Sequence, residues 1–161
     1  MKVTFTKEKR RCAVRVERDN GSTLYGYGPN TGGELPHDVL HFVAEVEFGL
    51  DYGVFGHLAA GMPSRVFIPA DREEIVKIWR RNRIKRLRVP EGRRSEELVA
   101  RVERQWHDRK LQPELLAKLD ELAERWQALQ VGGSLTLEWP RPERRKHHSP
   151  RKRRRPATAR R

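Results

Sequence analysis

The sequence predicts an α+β domain, in which a small antiparallel sheet packs against several helices, followed by a disordered basic tail. Three observations lead to this prediction: an alternating β-meander at the N-terminus, amphipathic helices in the middle, and one further alternating strand before an end rich in proline and arginine. At 161 residues the chain has room for one domain with a hydrophobic core. We place that domain at residues 1–140 and the tail at residues 141–161.

The predicted strands alternate apolar and polar residues, as half-buried strands do. The stretches "KVTFT" and "CAVRV" show this alternation near the N-terminus. Asn20-Gly21 then tolerates the positive φ of a tight hairpin turn, and "STLYGYG" is the expected return strand. Near the other end, "SLTLEW" alternates in the same way and is expected to pair with the meander.

Between these strands, apolar residues recur at helical spacing. One helix is predicted to open at Pro36, and a second near Arg72 behind an Asp-x-x-Glu capping box. A third is predicted to be capped by Ser95, and a fourth to begin at Pro113. The stretch "DYGVFGHLAAGMP" is a short apolar segment punctuated by glycines, and "SRVFIPAD" is expected to add a brief strand.

Cysteine content and hydropathy indicate the cellular compartment of the protein. Cys12 is the only cysteine, which excludes an internal disulfide, and its strand position predicts a buried apolar residue instead of a nucleophile. The N-terminus "MKVTFTKEKRR" has no apolar segment of signal-peptide length. No stretch approaches the roughly 18 apolar residues of a membrane span. We therefore expect a cytoplasmic protein without membrane contact.

The helix within "LPHDVLHFVAEVEFGL", residues 35–50, carries the main candidate site. Residues four apart lie on adjacent turns of one helix face, so His37, His41 and Glu45 form a line. Two imidazoles and a carboxylate are the ligand set of catalytic zinc and non-haem iron sites. Asp38 stands where H-E-x-x-H motifs carry their catalytic glutamate, which makes it the candidate base. His57 could supply a further ligand if its segment folds back onto this helix.

An amphipathic helix without a metal explains the same residues. Asp38 would then oppose the helix dipole and satisfy free backbone N–H groups. His37 would cap the helix or face water, His41 would be a partly buried histidine bonded to a carbonyl, and Glu45 would face solvent. The sequence leaves both interpretations open and does not decide whether the protein is an enzyme. The metal interpretation predicts a divalent ion, zinc or iron, in a metal-dependent hydrolase or a metal-binding protein.

Two resemblances accompany these residues. The motif H-D-x-x-H, formed by His37, Asp38 and His41, is similar to the zinc motif of a ubiquinone-biosynthesis family. That family's pattern ends with a glutamate twelve residues after the second histidine, where this chain has Gly53, so the function is not carried over. The block "LPHDVLHFVAEVEFGLDYGVFGHLAAG" together with "GGSLTLEWP" resembles a group of small bacterial proteins that implies no known activity.

The tail suggests the alternative function. The net charge is +13, and residues 141–161 hold eleven Lys/Arg against one acid. A segment of this composition cannot fold alone and attracts nucleic acid in a salt-dependent way, although it could also only aid solubility. The alternative is therefore a non-enzymatic interaction domain held on nucleic acid by a sequence-nonspecific tail. Its candidate nucleic-acid-binding residues are Arg144, Arg145, Lys146, Arg151, Lys152, Arg153, Arg154 and Arg155.

Overall fold

The computed structural model describes residues 1–29, 33–51, 53–62, 64, 66–70 and 89–140. Its elements confirm the predicted α+β class, with five strands and four helices in the described part of the chain. In chain order they are β1 (Lys2–Lys7), β2 (Arg11–Glu17), β3 (Thr23–Pro29), α1 (His37–Glu47), α2 (Val54–Ala59), β4 (Ile68–Pro69), α3 (Val89–His107), α4 (Pro113–Ala128) and β5 (Ser134–Glu138).

The strands form one antiparallel sheet in the order β4-β3-β2-β1-β5. Gly21, with φ +83°, turns the chain from β2 into β3, as the Asn-Gly dipeptide predicts. The last strand returns beside the first, with Phe5 paired to Leu135 on one side and to Val14 on the other. The predicted pairing of the C-terminal strand with the meander is therefore confirmed.

One face of the sheet is buried beneath the helices. Its core residues come from alternate positions of the strands: Val3, Phe5, Cys12, Val14, Val16, Leu24 and Leu135. Phe5 contacts Phe42 of α1 edge-on at 6.1 Å between ring centroids, and Phe55 of α2 at 5.9 Å. Phe42 and Phe55 also contact each other at 5.3 Å, so three aromatic rings fix α1 and α2 on the sheet.

The third helix lies against α1. It begins at Val89, upstream of the predicted start, so the interpretation of Ser95 as a helix cap is wrong. Pro90 stands in its first turn, where the missing N–H has no intrahelical partner to lose. Ser95 lies inside the helix and is fully buried against α1. Trp106 of α3 donates an indole N–H to Asp120 of α4 at 2.8 Å, which links these two helices.

Two predicted segments, the helix starting near Arg72 and the disordered tail at 141–161, lie outside the described residues. Among the helices that the structure does describe, none combines the length and the apolar character needed to span a membrane.

Candidate metal centre

The first two turns of α1 place two imidazoles in contact. His37 and His41 are four residues apart, and their rings meet edge-on with centroids 4.6 Å apart. Their Nε2 atoms are separated by 3.1 Å. The helical spacing alone brings the rings together, as the sequence predicts.

The third member of the cluster comes from α3. Glu96 places Oε2 3.3 Å from His37 Nε2 and Oε1 3.3 Å from His41 Nε2. One ligand atom from each of the three residues lies within 4.8 Å of the other two. Two imidazole nitrogens and a carboxylate therefore converge on a common point, in an arrangement compatible with a metal site.

A buried hydrogen-bond chain holds the other nitrogen of His41. Its Nδ1 lies 2.9 Å from the Ser95 hydroxyl, and that hydroxyl donates to Glu45 Oε1 at 2.6 Å. None of these three side chains is more than 2% exposed. Buried polar groups of this kind fix orientation strongly, because leaving any of them without its partner is costly.

The hydrogen-bond chain from Glu45 through Ser95 sets the tautomer of His41. The Ser95 hydroxyl has one proton, and it is directed to Glu45. It must then accept from His41, which assigns the imidazole proton to Nδ1. The lone pair of His41 is left on Nε2, directed at His37 and Glu96. Metal-ligating histidines in proteins are commonly oriented in this way, through a hydrogen bond from the nitrogen that does not bind the ion.

Glu45 is anchored at its far end by the start of α2. Its Oε1 accepts the backbone N–H of Val54 at 2.6 Å, and its Oε2 accepts those of Phe55 at 2.8 Å and Gly56 at 3.1 Å. The helix has no side-chain cap of its own, because its N-cap residue is Gly53. A Cβ at Gly53 would overlap the Glu45 carboxylate, so glycine is what allows this close approach. Glu45 therefore caps α2 and orients Ser95 and His41.

Two groups in or beside the cluster, His41 and Asp38, have shifted pKa values. Burial lowers the pKa of His41, but the Glu45 carboxylate 3.5 Å from Nδ1 and the charges of Glu96 and Asp38 outweigh it, so the pKa is raised above 6.5. Burial raises the pKa of Asp38, and the two histidines offset only part of that increase. The His41 shift thus originates in the carboxylates around the ring, and the Asp38 shift originates mainly in the desolvation of its carboxyl group.

The cluster is open on one side. His41 is 2% exposed, whereas His37 is 36% and Glu96 61% exposed. A ligand or substrate can therefore reach the point between the three residues from the side of Glu96.

The structure brings together two of the four predicted ligands. His37 and His41 converge, while the converging group in the described part of the chain contains neither Glu45 nor His57. Glu45 lies at the Nδ1 side of His41, the side away from the cluster. Among the described residues, it accepts hydrogen bonds from Ser95 and from the first turn of α2. His57 is buried within α2. The eight predicted tail residues lie outside the described part.

The predicted base, Asp38, lies over the sheet. Its carboxylate fills the space where Gly28 of β3 lacks a side chain. The neighbouring strand places Cys12 opposite Gly28. Cys12 is buried, and desolvation followed by the nearby Asp38 charge raises its thiol pKa to about 12, which keeps it protonated as the sequence predicts for a core residue.

Sequence reasoning missed Glu96 and Ser95 as members of this site. They lie 59 and 54 residues from the histidines they contact, and both were explained as the start of a helix. One signal was available in the sequence: Glu45 directly follows residues 39–44, of which all but His41 are apolar, so this helix is apolar on most of its circumference and is expected to be buried there. A carboxylate on a buried helix face needs polar partners, which predicts a second polar element packed against α1.

No protein-family model, curated protein or solved structure matches this chain.

Proposed function

We propose that this protein binds one divalent transition-metal ion through His37 Nε2, His41 Nε2 and the Glu96 carboxylate, leaving an open position for water or substrate. The observation that carries the proposal is the Glu45–Ser95–His41 chain, which holds the His41 lone pair toward the other two ligands. If the His41 imidazole only filled the core, its Nε2 atom would not need to be directed at the His37 imidazole and the Glu96 carboxylate.

The spacing of the ligand atoms supports an ion of this kind. For metal–ligand bonds of about 2.05 Å, the 3.1 Å between the two Nε2 atoms corresponds to an angle of about 98° at the ion. The 3.3 Å from His41 Nε2 to Glu96 corresponds to about 107°. These angles fall between the roughly 90° of octahedral and 109° of tetrahedral coordination, so zinc and ferrous iron both fit.

Held by three protein ligands, such an ion would supply Lewis-acid catalysis, most simply of hydrolysis. The residues of this chain would then divide the remaining work. Glu45 and Ser95 hold the His41 ring, and the exposed edge at Glu96 admits the substrate. Asp38, whose charge interacts with both histidines, is the candidate proton acceptor.

A metal-free cluster is the competing explanation. There, His37 Nε2–H would donate toward His41 Nε2 or Glu96, and the three residues would only join α1 to α3. Such a cluster retains its hydrogen bonds when Glu96 becomes glutamine, because the amide oxygen still accepts them. A metal site does not, because a neutral amide is a much weaker ligand than a carboxylate.

The test is metal binding by the full chain without a polyhistidine tag, equilibrated with Zn²⁺ or Fe²⁺ and freed of excess ion. We expect one ion per wild-type chain. Glu96→Gln should lose affinity by at least about tenfold, since even outer-shell changes cost 10–100-fold. The matched control is Glu97→Gln, which changes the neighbouring exposed carboxylate and should bind as the wild type does. Equal metal content in all three proteins would contradict the proposal and favour the metal-free cluster.

A second candidate function rests on the charge of the tail. With eleven Lys/Arg against one acid in residues 141–161, we propose sequence-nonspecific attraction to nucleic acid. Replacing eight of the eleven tail cations by glutamine should weaken duplex binding and flatten its dependence on salt. Unchanged affinity and salt slope would exclude the tail as the cause. The substitutions are Arg144→Gln, Arg145→Gln, Lys146→Gln, Arg151→Gln, Lys152→Gln, Arg153→Gln, Arg154→Gln and Arg155→Gln.

A further inference from the structure

The two edges of the sheet differ in how well they are protected against pairing with another strand. In the described part of the chain, β4 forms one edge and β5 the other. The β4 edge is two residues long and ends in Pro69, and short strands and prolines both prevent further pairing. The β5 edge, Ser134–Glu138, has five residues in regular register with β1 and contains neither proline nor lysine. An edge of this kind is a template for another strand.

The backbone groups that the β5 edge offers follow from its pairing with β1. Trp139 donates its N–H to the Met1 carbonyl, and the Gly133 carbonyl also accepts from β1, so the odd positions of β5 are bonded to β1. The N–H and C=O groups of the even positions therefore point away from the sheet. The residues at these positions are all exposed: Ser134, Thr136 and Glu138.

The β5 edge is complementary to a reversed copy of itself. A twofold axis at Thr136 places this residue opposite its own counterpart, and it places Ser134 opposite Glu138 of the second copy. Each outward N–H then meets an outward C=O, which gives about six hydrogen bonds across the seam between the copies. No like charges are opposed, because the only charged residue of the strand, Glu138, faces a serine.

The side chains on the helical face of β5 fit the same arrangement. The axis places Leu135 opposite Leu137 of the second copy, and Trp139 opposite Gly133. Leu137 and Trp139 are only partly buried, although both pack against the core. Because Gly133 has no side chain, the exposed part of the indole ring can cross it toward Leu129, which lies directly beside this glycine. An aromatic residue opposite an edge glycine is a stabilising cross-strand pair.

Electrostatic repulsion between two copies is small at this edge. Residues 1–140 hold 24 Lys/Arg and 21 Asp/Glu, so most of the net charge of +13 belongs to residues 141–161. In the antiparallel pair the two Pro140 residues lie at opposite ends of the seam, about 27 Å apart. This distance exceeds the Debye length of about 8 Å at physiological ionic strength, so charges that follow Pro140 in the two copies are screened from each other there.

We propose that β5 is a dimerisation edge, which pairs antiparallel with β5 of a second copy about a twofold axis at Thr136 and joins the two five-stranded sheets into one. A second copy fits because the strand offers at each position the group that its own reversed copy needs. Association stops at the dimer, since the twofold pair uses both β5 edges and the β4 edges are too short to continue. The proposal is independent of the metal centre, to which β5 contributes no residue.

The first test is sedimentation equilibrium of the full chain, freed of nucleic acid, over about a hundredfold range of concentration. Thr136→Pro removes only an outward-pointing N–H, and an edge strand tolerates proline when its nitrogen faces solvent, so β5 stays paired with β1. Thr136→Lys opposes two like charges across the axis. Tyr25→Lys is the matched control, because it adds the same charge at an exposed position of the inner strand β3.

We expect a monomer–dimer equilibrium in the wild type that added salt does not weaken, because backbone hydrogen bonds and apolar contacts hold the pair. Thr136→Pro loses one hydrogen bond in each copy and should weaken association by about tenfold or more, and Thr136→Lys should act in the same direction. Tyr25→Lys should stay within about twofold of the wild type. A monomer at every concentration, an association that salt abolishes, or an unchanged dimer in both Thr136 variants would overturn the proposal.

The second test is disulfide trapping, which reads the register of the pair. The axis brings the two Cα atoms of residue 136 to about 5.5 Å, within disulfide range, but separates those of residue 134 by about 14 Å. The only native cysteine, Cys12, is buried and does not compete. Mild oxidation should therefore link Thr136→Cys into a dimer and leave the matched control, Ser134→Cys, unlinked. The reverse pattern, or no link in either variant, would contradict the proposed axis.

Discussion

Ser95→Ala tests the hydrogen-bond chain on which the metal site depends. The substitution removes one oxygen from a fully buried position. It leaves the His41 Nδ1–H without its partner and leaves Glu45 Oε1 with only the backbone N–H of Val54. The bond to the Glu45 carboxylate contributes about 1.5–3 kcal/mol and the bond from the imidazole about 0.5–1.5 kcal/mol. We therefore expect the free energy of unfolding of the metal-free protein to fall by roughly 2–4.5 kcal/mol. At about 3 °C per kcal/mol, Tm should fall by about 6–14 °C.

The same variant has a second expected effect that packing alone would not produce. Without Ser95 the His41 ring loses the hydrogen bond that fixes its tautomer, so metal affinity should fall by about 10–100-fold. Urea denaturation measures the first effect, and titration with Zn²⁺ measures the second. Ser134→Ala, at an exposed position of β5, is the matched control and should change neither. A loss below about 0.5 kcal/mol with unchanged metal affinity would refute the role assigned to this chain.

Three further predictions concern the surroundings of the cluster. Gly53→Ala should destabilise the protein by about 1–3 kcal/mol and weaken metal binding, because its methyl group overlaps Glu45. Gly33→Ala is the control: its methyl group makes only an ordinary van der Waals contact with the Leu35 carbonyl oxygen and should change neither stability nor metal binding. Calorimetry measures both effects. The raised pKa of Asp38 favours its protonated carboxyl in the folded state, so the metal-free wild type should lose stability as pH rises above 3.8. Asp38→Asn should not show this loss. Urea titrations across pH that coincide for both proteins would contradict the prediction. The His41 imidazole should titrate above pH 6.5 by NMR, so its stabilising charge is fully present below pH 6.5 and is lost as pH rises through the folded pKa. Metal affinity should fall as pH drops through the same range, because the proton competes with the ion. An NMR midpoint at or below pH 6.5 would contradict the assigned charges.

The fold was largely predictable because its signals are local. Period-two alternation located the meander and β5, and the Asn20-Gly21 turn fixed the first pairing. The start of α3 was not predictable in this way. Ser95 followed by two glutamates has the composition of a helix cap, but its hydroxyl is used by α1 instead, and that depends on a contact 50 residues away in the sequence.

The site was predictable only where it follows from helical spacing. His37 and His41 converge because residues four apart share a helix face. The same spacing places Glu45 in line with them, but the free N–H groups of α2 draw its carboxylate to the other nitrogen of His41. Glu96 then fills the place expected for Glu45, and only the packing of α3 on α1 shows this.

The most direct measurement is a crystal structure of the zinc-loaded full chain with anomalous diffraction data collected at the zinc edge. The account predicts one strong peak about 2.0–2.2 Å from His37 Nε2, His41 Nε2 and a Glu96 oxygen, with Ser95 still between His41 and Glu45. An ion held elsewhere, or no ion while the two imidazoles stay hydrogen-bonded to each other, would contradict it.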